Sequence, residues 1–336
     1  DAFLSLSQKL ISHPDCQIIN LPLIPENLIP NSISLSSGYI TTRGSSSLPT
    51  LFDDQALKTP DVVALTHGQQ SMSYLELNRR ANQLARYLIS KDVGPDNVVA
   101  ILLDRSFDMI VAILGVLKAG AGYLPLDLTY PSARLRFMIM DSKSKCLISS
   151  STVHRRILND SNNKNLPKTC YLDEQSVLQQ LGDLPSSPIL ESERLGPLSW
   201  DQLAYVMYTS GSTGTPKGVA FLAGSLINLI EWKLSELPDT DACKVLQYSA
   251  IGFDASAQEI VTALSSGSTL ALIDETNRRD SIKLIEHIKA ERIDHTRCFC
   301  PKVGHDHECT AFFIKDSFIM YSKLFCFGGF FSKSPV

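Results

Sequence analysis

From Phe52 onward, short apolar runs of strand character alternate with segments whose apolar residues recur at helical spacing. Few architectures accept that pattern. After Ser73, with Glu76 placed as a capping-box partner, Leu77, Ala81, Leu84 and Leu88 recur on one helical face until Gly94-Pro95 stops the run. Residues 98–103 follow as a buried strand, 107–118 as a helix closed by Gly120, 123–126 as an extended run, 131–140 as a helix and 146–149 as a strand. The alternation resumes through residues 203–209, 224–235, 245–248, 257–264, 269–273 and 282–290, with polar, Pro-rich breaks at 159–165 and 184–197. The predicted fold class is α/β, with layered, mostly parallel sheets joined by crossover helices.

The longest apolar stretch, Met109 to Leu117, is nine residues and is stopped by Lys118. A membrane-crossing helix needs about 20, so no membrane partner is expected. A net charge of −4 offers no basic field for a phosphate backbone, so no nucleic-acid partner is expected either. The eight cysteines lack paired spacing, and no secretory signal is visible behind Asp1, which together imply reduced thiols and a cytoplasmic location.

The two ends differ from the middle. Residues 1–50 hold ten serines, five charges and prolines at 14, 22, 25, 30 and 49, and read as a short helix, an extended stretch and a linker. Residues 297–336 hold eight of the fourteen phenylalanines and four of the eight cysteines, without helical or strand periodicity.

The segment richest in chemistry runs from Leu203 to Val219, a strand entering a loop of small and hydroxylated residues with one lysine. Gly211, Gly214 and Gly218 allow close backbone approach to an anion, and Thr209, Ser210, Ser212, Thr213 and Lys217 can donate to phosphate oxygens. It is not the nucleoside-triphosphatase P-loop, because Lys217 follows Pro216 and no Ser or Thr comes after it. Taken alone, a polyphosphate cradle and a flexible surface loop fit it comparably.

The whole segment resembles the signature loop of adenylate-forming enzymes, specifically the amino-acid adenylation domains of non-ribosomal peptide synthetases. The stretch from Phe52 to Leu65 resembles that family's opening helix and first strand. Ser73-Tyr-Leu-Glu-Leu77, Leu117-Lys-Ala-Gly-Ala-Gly-Tyr-Leu-Pro-Leu-Asp127, Tyr130-Pro-Ser-Ala-Arg134 and Phe253-Asp-Ala-Ser256 match further motifs in order. The resemblance covers residues 52–296 and implies the large N-terminal subdomain of such enzymes, the small C-terminal domain being absent from this sequence. Residues 1–50 resemble the end of a condensation domain with its linker.

That resemblance implies activation of an amino-acid carboxylate by ATP with Mg2+ as an aminoacyl adenylate, then transfer to the phosphopantetheine thiol of a carrier protein. It implies ATP-phosphate binding by Thr209, Ser210, Gly211, Ser212, Thr213, Gly214 and Lys217. Asp254 matches the anchor for the substrate ammonium group, and Ala255 and Gln258 match pocket-lining positions whose small and amide side chains point to a polar substrate. Asp254 also suits a helix N-cap, and the two roles are compatible. Asp127 and Arg134 read as turn and helix-end charges, and His67 and His154 as surface residues. Carrier-protein and condensation domains of the same synthetase are the implied partners; an acyl-CoA-synthetase-like ligase and a non-catalytic nucleotide-binding remnant are the rival readings.

Three departures from the family stand out. Ala223 occupies the position of a usual histidine; the match breaks after Thr296; and no residues match the Tyr-Gly-Pro-Thr-Glu motif for adenine and magnesium, the ribose aspartate or the lysine of the C-terminal domain. Codons for Arg-Cys-Phe-Cys-Pro301, shifted in frame, can spell residues close to the family pattern, so residues 297–336 are expected to be out-of-frame or intronic sequence rather than a true divergent ending. The rival for that tail is a zinc site of Cys298, Cys300, His305, His307 and Cys309, whose intervals do not follow the usual zinc spacings. With these motifs missing, the chain is expected to show no amino-acid-dependent exchange of labelled pyrophosphate into ATP, as an exchange assay over the protein amino acids will check.

Overall fold

A computed structural model describes residues 47–158, 165–210, 215–236 and 243–294. The expected condensation-like segment lies almost wholly outside these residues, as do Gly211, Ser212, Thr213 and Gly214 of the loop and the whole tail with its candidate zinc ligands.

The elements in chain order are α1 (Leu48–Lys58), β1 (Val63–His67), β2 (Gln70–Ser73), α2 (Tyr74–Ile89), β3 (Val98–Leu102), α3 (Phe107–Lys118) and β4 (Gly122–Pro125). They continue with α4 (Ser132–Asp141), β5 (Cys146–Ser149), α5 (Ser151–Leu158), β6 (Thr169–Tyr171), α6 (Gln175–Asp183), β7 (Leu203–Thr209) and β8 (Lys217–Leu222). Last come α7 (Ala223–Glu236), β9 (Lys244–Gln247), α8 (Asp254–Ser265), β10 (Thr269–Leu272), α9 (Glu275–Arg279) and α10 (Ser281–Ala290). The strands form a six-stranded sheet, β6-β5-β3-β4-β7-β8, and a four-stranded sheet, β2-β1-β10-β9. Pairing is parallel except for β2 on β1 and β8 on β7. The expected layered, mostly parallel α/β fold is what the chain forms.

Strand alternation explains the layers, because successive side chains leave opposite faces. In β3, Val99 and Ile101 join one apolar cluster while Ala100 and Leu102 join another. The same split separates Tyr205 and Met207 from Val206 and Tyr208 in β7, and Leu270 and Leu272 from Ala271 in β10. The first cluster is common to both sheets and takes in α1, α2, α3, α7 and α8, so these helices fill one central layer. Leu135, Met138 and Ile139 of α4 cover the far face of the six-stranded sheet, and Leu284 and Ile288 of α10 cover that of the four-stranded sheet.

Helix α3 is buried from Met109 to Lys118, as an all-apolar helix must be. It ends at Gly120, whose φ of +87° is open to glycine at little cost, and the Ala121 N–H reaches back to Val116 O (3.1 Å). Lys118 ends this buried run with its ammonium paired to Asp53 of α1, 5.4 Å above the Phe52 ring. Burial lowers its pKa while the Asp53 charge opposes that.

Two local readings are corrected. Helix α1 starts at Leu48, before Phe52: Ser47 accepts the Thr50 N–H (3.2 Å), and Pro49, read as linker punctuation, sits in the first turn, where a missing N–H costs nothing. The break at 184–197 is a fixed strap. Arg86 of α2, 8% exposed, holds Glu193 with Nε (2.7 Å) and Nη2 (2.9 Å) and donates to the carbonyls of Pro185 and Ser187 (2.7 Å each). Asn82 and Gln83 donate to Ser186 O (2.9 Å) and Leu184 O (3.0 Å). The Arg86 hydrogen bonds hold the Glu193 carboxyl below its ordinary pKa.

Removing the Arg86 guanidinium strands several carbonyls and a carboxylate at once. Arg86→Ala should lower the unfolding free energy by about 3 kcal/mol, and Arg86→Lys should recover little, because an ammonium cannot reproduce the fork. Urea unfolding of the three proteins measures this.

Candidate functional site

Strand β7 runs parallel to β4, and its carboxyl end delivers Thr209 and Ser210 to the surface, both exposed. That is the end of a parallel sheet where ligands gather. The chain returns at Lys217, which is the first residue of β8 and pairs with Thr209 across the hairpin. The Thr209 hydroxyl donates to Lys217 O (3.5 Å). Thr209 and the exposed Lys217 are thus paired at the ends of two antiparallel strands.

Gly218 has a different task from the expected approach to an anion. It lies opposite Tyr208, and a Cβ there would come within 3.1 Å of the phenol ring carbon. Tyr208 donates in turn to Asp141 Oδ2 (2.6 Å). The glycine makes room for a ring that ties β7 to α4. Ala223, where the family's histidine is expected, is buried at the start of α7 and its N–H donates to Gln202 O (2.8 Å).

The second part of the site is the passage from β9 to α8. Helix α8 begins at Asp254 with Phe253 at the N-cap position, and the Asp254 carboxylate accepts the Ala255 N–H (2.8 Å). Asp254 is thus the first helical residue and not the cap. It is exposed, and the buried part of the helix begins at Ser256. Ala255 is half-buried and Gln258 is 3% exposed. Gln258 stands one turn beyond Asp254, and its Nε2 has no hydrogen-bond partner among the described residues.

The Tyr205 ring of β7 stacks on Phe221 (4.6 Å between centroids) and lies 5.7 Å from that of Tyr123. Burial pushes the Tyr205 phenol up, and the Asp254 charge adds to the shift. The turn after β4 closes another side. Asp127 Oδ1 accepts the Thr129 N–H (2.9 Å), Arg134 stacks 4.0 Å over Tyr130, and a Cβ at Gly252 would lie 3.5 Å from the Tyr130 hydroxyl. The turn reading of Asp127 holds, whereas Arg134 lies in the first turn of α4, the end where a cation opposes the helix dipole, and its guanidinium rests on Tyr130 instead. Of the two histidines, His67 is bound to Asp274 (3.0 Å), and His154 meets Tyr171 edge-on (5.4 Å).

Sequence reasoning misses a polar cluster beside this passage. Arg105, just after β3, donates to Gln247 O and Ser249 O (2.9 Å each) and also reaches Gln247 Oε1. Glu259 of α8, 1% exposed, accepts the Ser249 N–H (2.9 Å), the Ser249 hydroxyl (2.6 Å) and Gln247 Nε2 (3.2 Å). Burial raises the Glu259 pKa and these donors oppose the rise. The sequence holds one signal for it: Glu259 is the only charge among residues 255–265.

The fold and this end of its sheets define a layered α/β protein with Thr209, Ser210 and Lys217 at the carboxyl end of β7 and an acidic start to α8. The profile of the AMP-binding enzyme family matches residues 52–303, and the chain belongs to that family. Gramicidin S synthase 2 of Brevibacillus brevis is 33% identical over 290 residues, 85% of this chain and 6% of that protein. Bacitracin synthase 1 of Bacillus licheniformis is 37% identical over 266 residues, 79% of this chain and 4% of its own length. This chain therefore spans only a small part of these relatives. In fold it resembles the nonribosomal peptide synthetase FmoA3 in its AMPPNP-bound form, with a TM-score of 0.69 at 22% identity over 87% of this chain and 30% of that one. It also resembles the N-terminal subdomain of Klebsiella oxytoca NpsA solved with 3-hydroxybenzoyl-AMSN, with a TM-score of 0.60 at 23% identity over 75% of this chain and 61% of that one.

Near this site, Glu275 accepts from Arg278 Nη2 and Arg279 Nε (2.7 Å each) and lies 3.3 Å from Arg105 Nε. Burial opposes its ionisation, but the arginine hydrogen bonds and charges prevail and hold its pKa at about 2. A depressed carboxyl contributes stability above its unfolded pKa, about 4.3, and loses it as pH falls toward the folded value. Wild type should therefore exceed Glu275→Gln in urea midpoint at neutral pH, with the gap closing between about pH 4.5 and 2.5.

Proposed function

We propose that this chain is the large-subdomain portion of an adenylation unit that activates an amino-acid carboxylate with ATP, for loading onto a carrier-protein phosphopantetheine thiol in nonribosomal peptide synthesis. One observation carries the reading: β7 ends at its carboxyl edge in exposed Thr209 and Ser210 opposite Lys217, and Asp254 opens α8 with the buried Gln258 amide, unpartnered among the described residues, one turn on. A carboxylate there suits an α-ammonium group, and the hairpin suits the phosphates of the nucleotide about to react with the carboxylate of the same molecule.

Thr209, Ser210, Gly211, Ser212, Thr213, Gly214 and Lys217 bind the phosphates in this reading. Their work is positioning and neutralisation of charge as the carboxylate oxygen attacks the α-phosphorus and pyrophosphate departs. Asp254 orients the amino acid, and Ala255 and Gln258 line the space for its side chain. A buried amide N–H without a partner is costly, so Gln258 favours a substrate side chain with an acceptor oxygen. The family's use of Mg2+ supplies charge neutralisation at the phosphates. Among the described residues no group of three or more His, Cys, Asp or Glu is disposed to hold a metal, and no step is assigned to the ion.

The partners in this reading are condensation and carrier domains of the same synthetase, and the location is the cytoplasm. No described helix is long and apolar enough to cross a membrane. Segment boundaries at 50–52 and at 296–297 belong to the same proposal.

The test is binding of aminoacyl-sulfamoyl adenosines, stable mimics of the adenylate, to the 336-residue chain. At least one compound of the protein amino-acid set should bind, with a polar side chain among the tightest. Asp254→Ala should weaken it by about a hundredfold, the scale of a lost charge-assisted hydrogen bond to a charged group, and Lys217→Ala should weaken ATP binding. Equal binding by wild type and Asp254→Ala overturns the reading.

A further inference from the structure

We propose that Arg105 and Glu259 are positioning residues that fix where the Asp254 carboxylate stands relative to the phosphate hairpin. The proposal rests on the reading of Asp254 as the ammonium anchor and adds two residues that touch neither substrate nor nucleotide in it.

The passage from β9 to α8 is gripped from two independent directions. From the six-stranded sheet, Arg105 leaves the carboxyl end of β3 and donates through Nη1 to Gln247 O and through Nη2 to Ser249 O. From the central helix layer, Glu259 receives the Ser249 N–H and hydroxyl and the Gln247 amide. Carbonyls and donors of the same short stretch are thus held by groups fixed in different layers. The Arg105 side chain is 8% exposed and Glu259 1% exposed; the Arg105 Nη atoms are spent on this grip while its Nε lies 3.3 Å from Glu275.

From Ser249 to Asp254 the chain has little freedom to absorb a displacement. Phe253 N–H donates to Ala250 O (3.0 Å), and the Ser256 hydroxyl reaches Phe253 O (2.6 Å) and Ile251 O (3.1 Å). A shift at Ser249 therefore reaches Asp254. Because β3 and β7 belong to one sheet, with β4 between them, Arg105 references Asp254 to the sheet that carries Thr209 and Lys217. A charge-assisted bond to an ammonium depends on that placement, whereas contacts to an acyl chain or an adenine do not.

The experiment compares two probes on the 336-residue chain: the tightest-binding aminoacyl-sulfamoyl adenosine, and its des-amino counterpart, which lacks only the ammonium group. The readout is the ratio of the two dissociation constants. Arg105→Lys keeps the charge but loses the fork, and Glu259→Gln keeps the shape but turns an N–H toward donors. Each should shrink the preference for the ammonium compound about tenfold, while affinity for the des-amino compound stays near wild type. A preference unchanged from wild type, or an equal loss for both compounds, overturns the proposal, since a purely structural role lowers both together. A wild-type chain with no preference for the ammonium compound instead removes the Asp254 reading, and the positioning role with it. If Glu259→Gln does not fold, Ser249→Ala, which deletes one hydroxyl from the same grip, takes its place with the same expected direction.

Discussion

One layer of helices with apolar sheet on both sides governs this fold. Val99 and Ile101 enter it from the six-stranded sheet, Leu270 and Leu272 from the four-stranded sheet, and α3 and α8 lie between with almost no solvent-facing surface. A polar group that such a helix carries is costly unless it finds a partner, because water is not there to supply one, and on α8 the Gln258 Nε2 is left without one among the described residues. Lys118 finds Asp53, and Glu259 finds Ser249 and Gln247. Burial is the cause, and the ionic and hydrogen-bonded ties between layers are its result.

Those ties fall where the site is. The grip on residues 247–249 joins the carboxyl ends of β3 and β9, which lie in different sheets. Parallel sheets leave their strand ends free for loops, and here loops from two sheets meet, the turn after β4 bringing the Tyr130 hydroxyl to Gly252 in the passage after β9. The chemistry attributed to the site requires two anionic groups to be brought together in register. A fold with two sheets sharing a layer can present one group from each.

Much of this is readable without coordinates, and the reasons differ by element. Residues 107–118, 146–149 and 203–209 have in the structure the bounds that the sequence predicts, because buried strands and all-apolar helices are marked by unbroken apolar runs. Strand β8 reads in sequence as the far side of a loop, since it lies at the sheet edge with most of its residues exposed and shows no core-facing pattern. The strap at 184–197 reads as a break because its order comes from its own carbonyls, which no side-chain pattern reports, and from one arginine about a hundred residues away in sequence. At the site, residue types point to Thr209, Ser210 and Lys217, and the family resemblance to Asp254. The exposure of Asp254, the Tyr208 ring above Gly218 and the Arg105 grip depend on contacts distant in sequence.

The four-stranded sheet has a further property in time. Its register joins Leu65 to Leu270 and Thr66 to Ala271, so β1 and β2 are made early while β10, the parallel neighbour of β1, comes about 200 residues later. At a translation rate of about 5–20 residues per second, the ribosome holds that first hairpin without its sheet for roughly 10 to 40 seconds. The six-stranded sheet, all of whose strands lie between residues 98 and 222, can assemble during that interval. The apolar sides of Ala64 and Leu65 then wait for a surface that has not yet been synthesised, and this is when the nascent chain most needs a chaperone's cover.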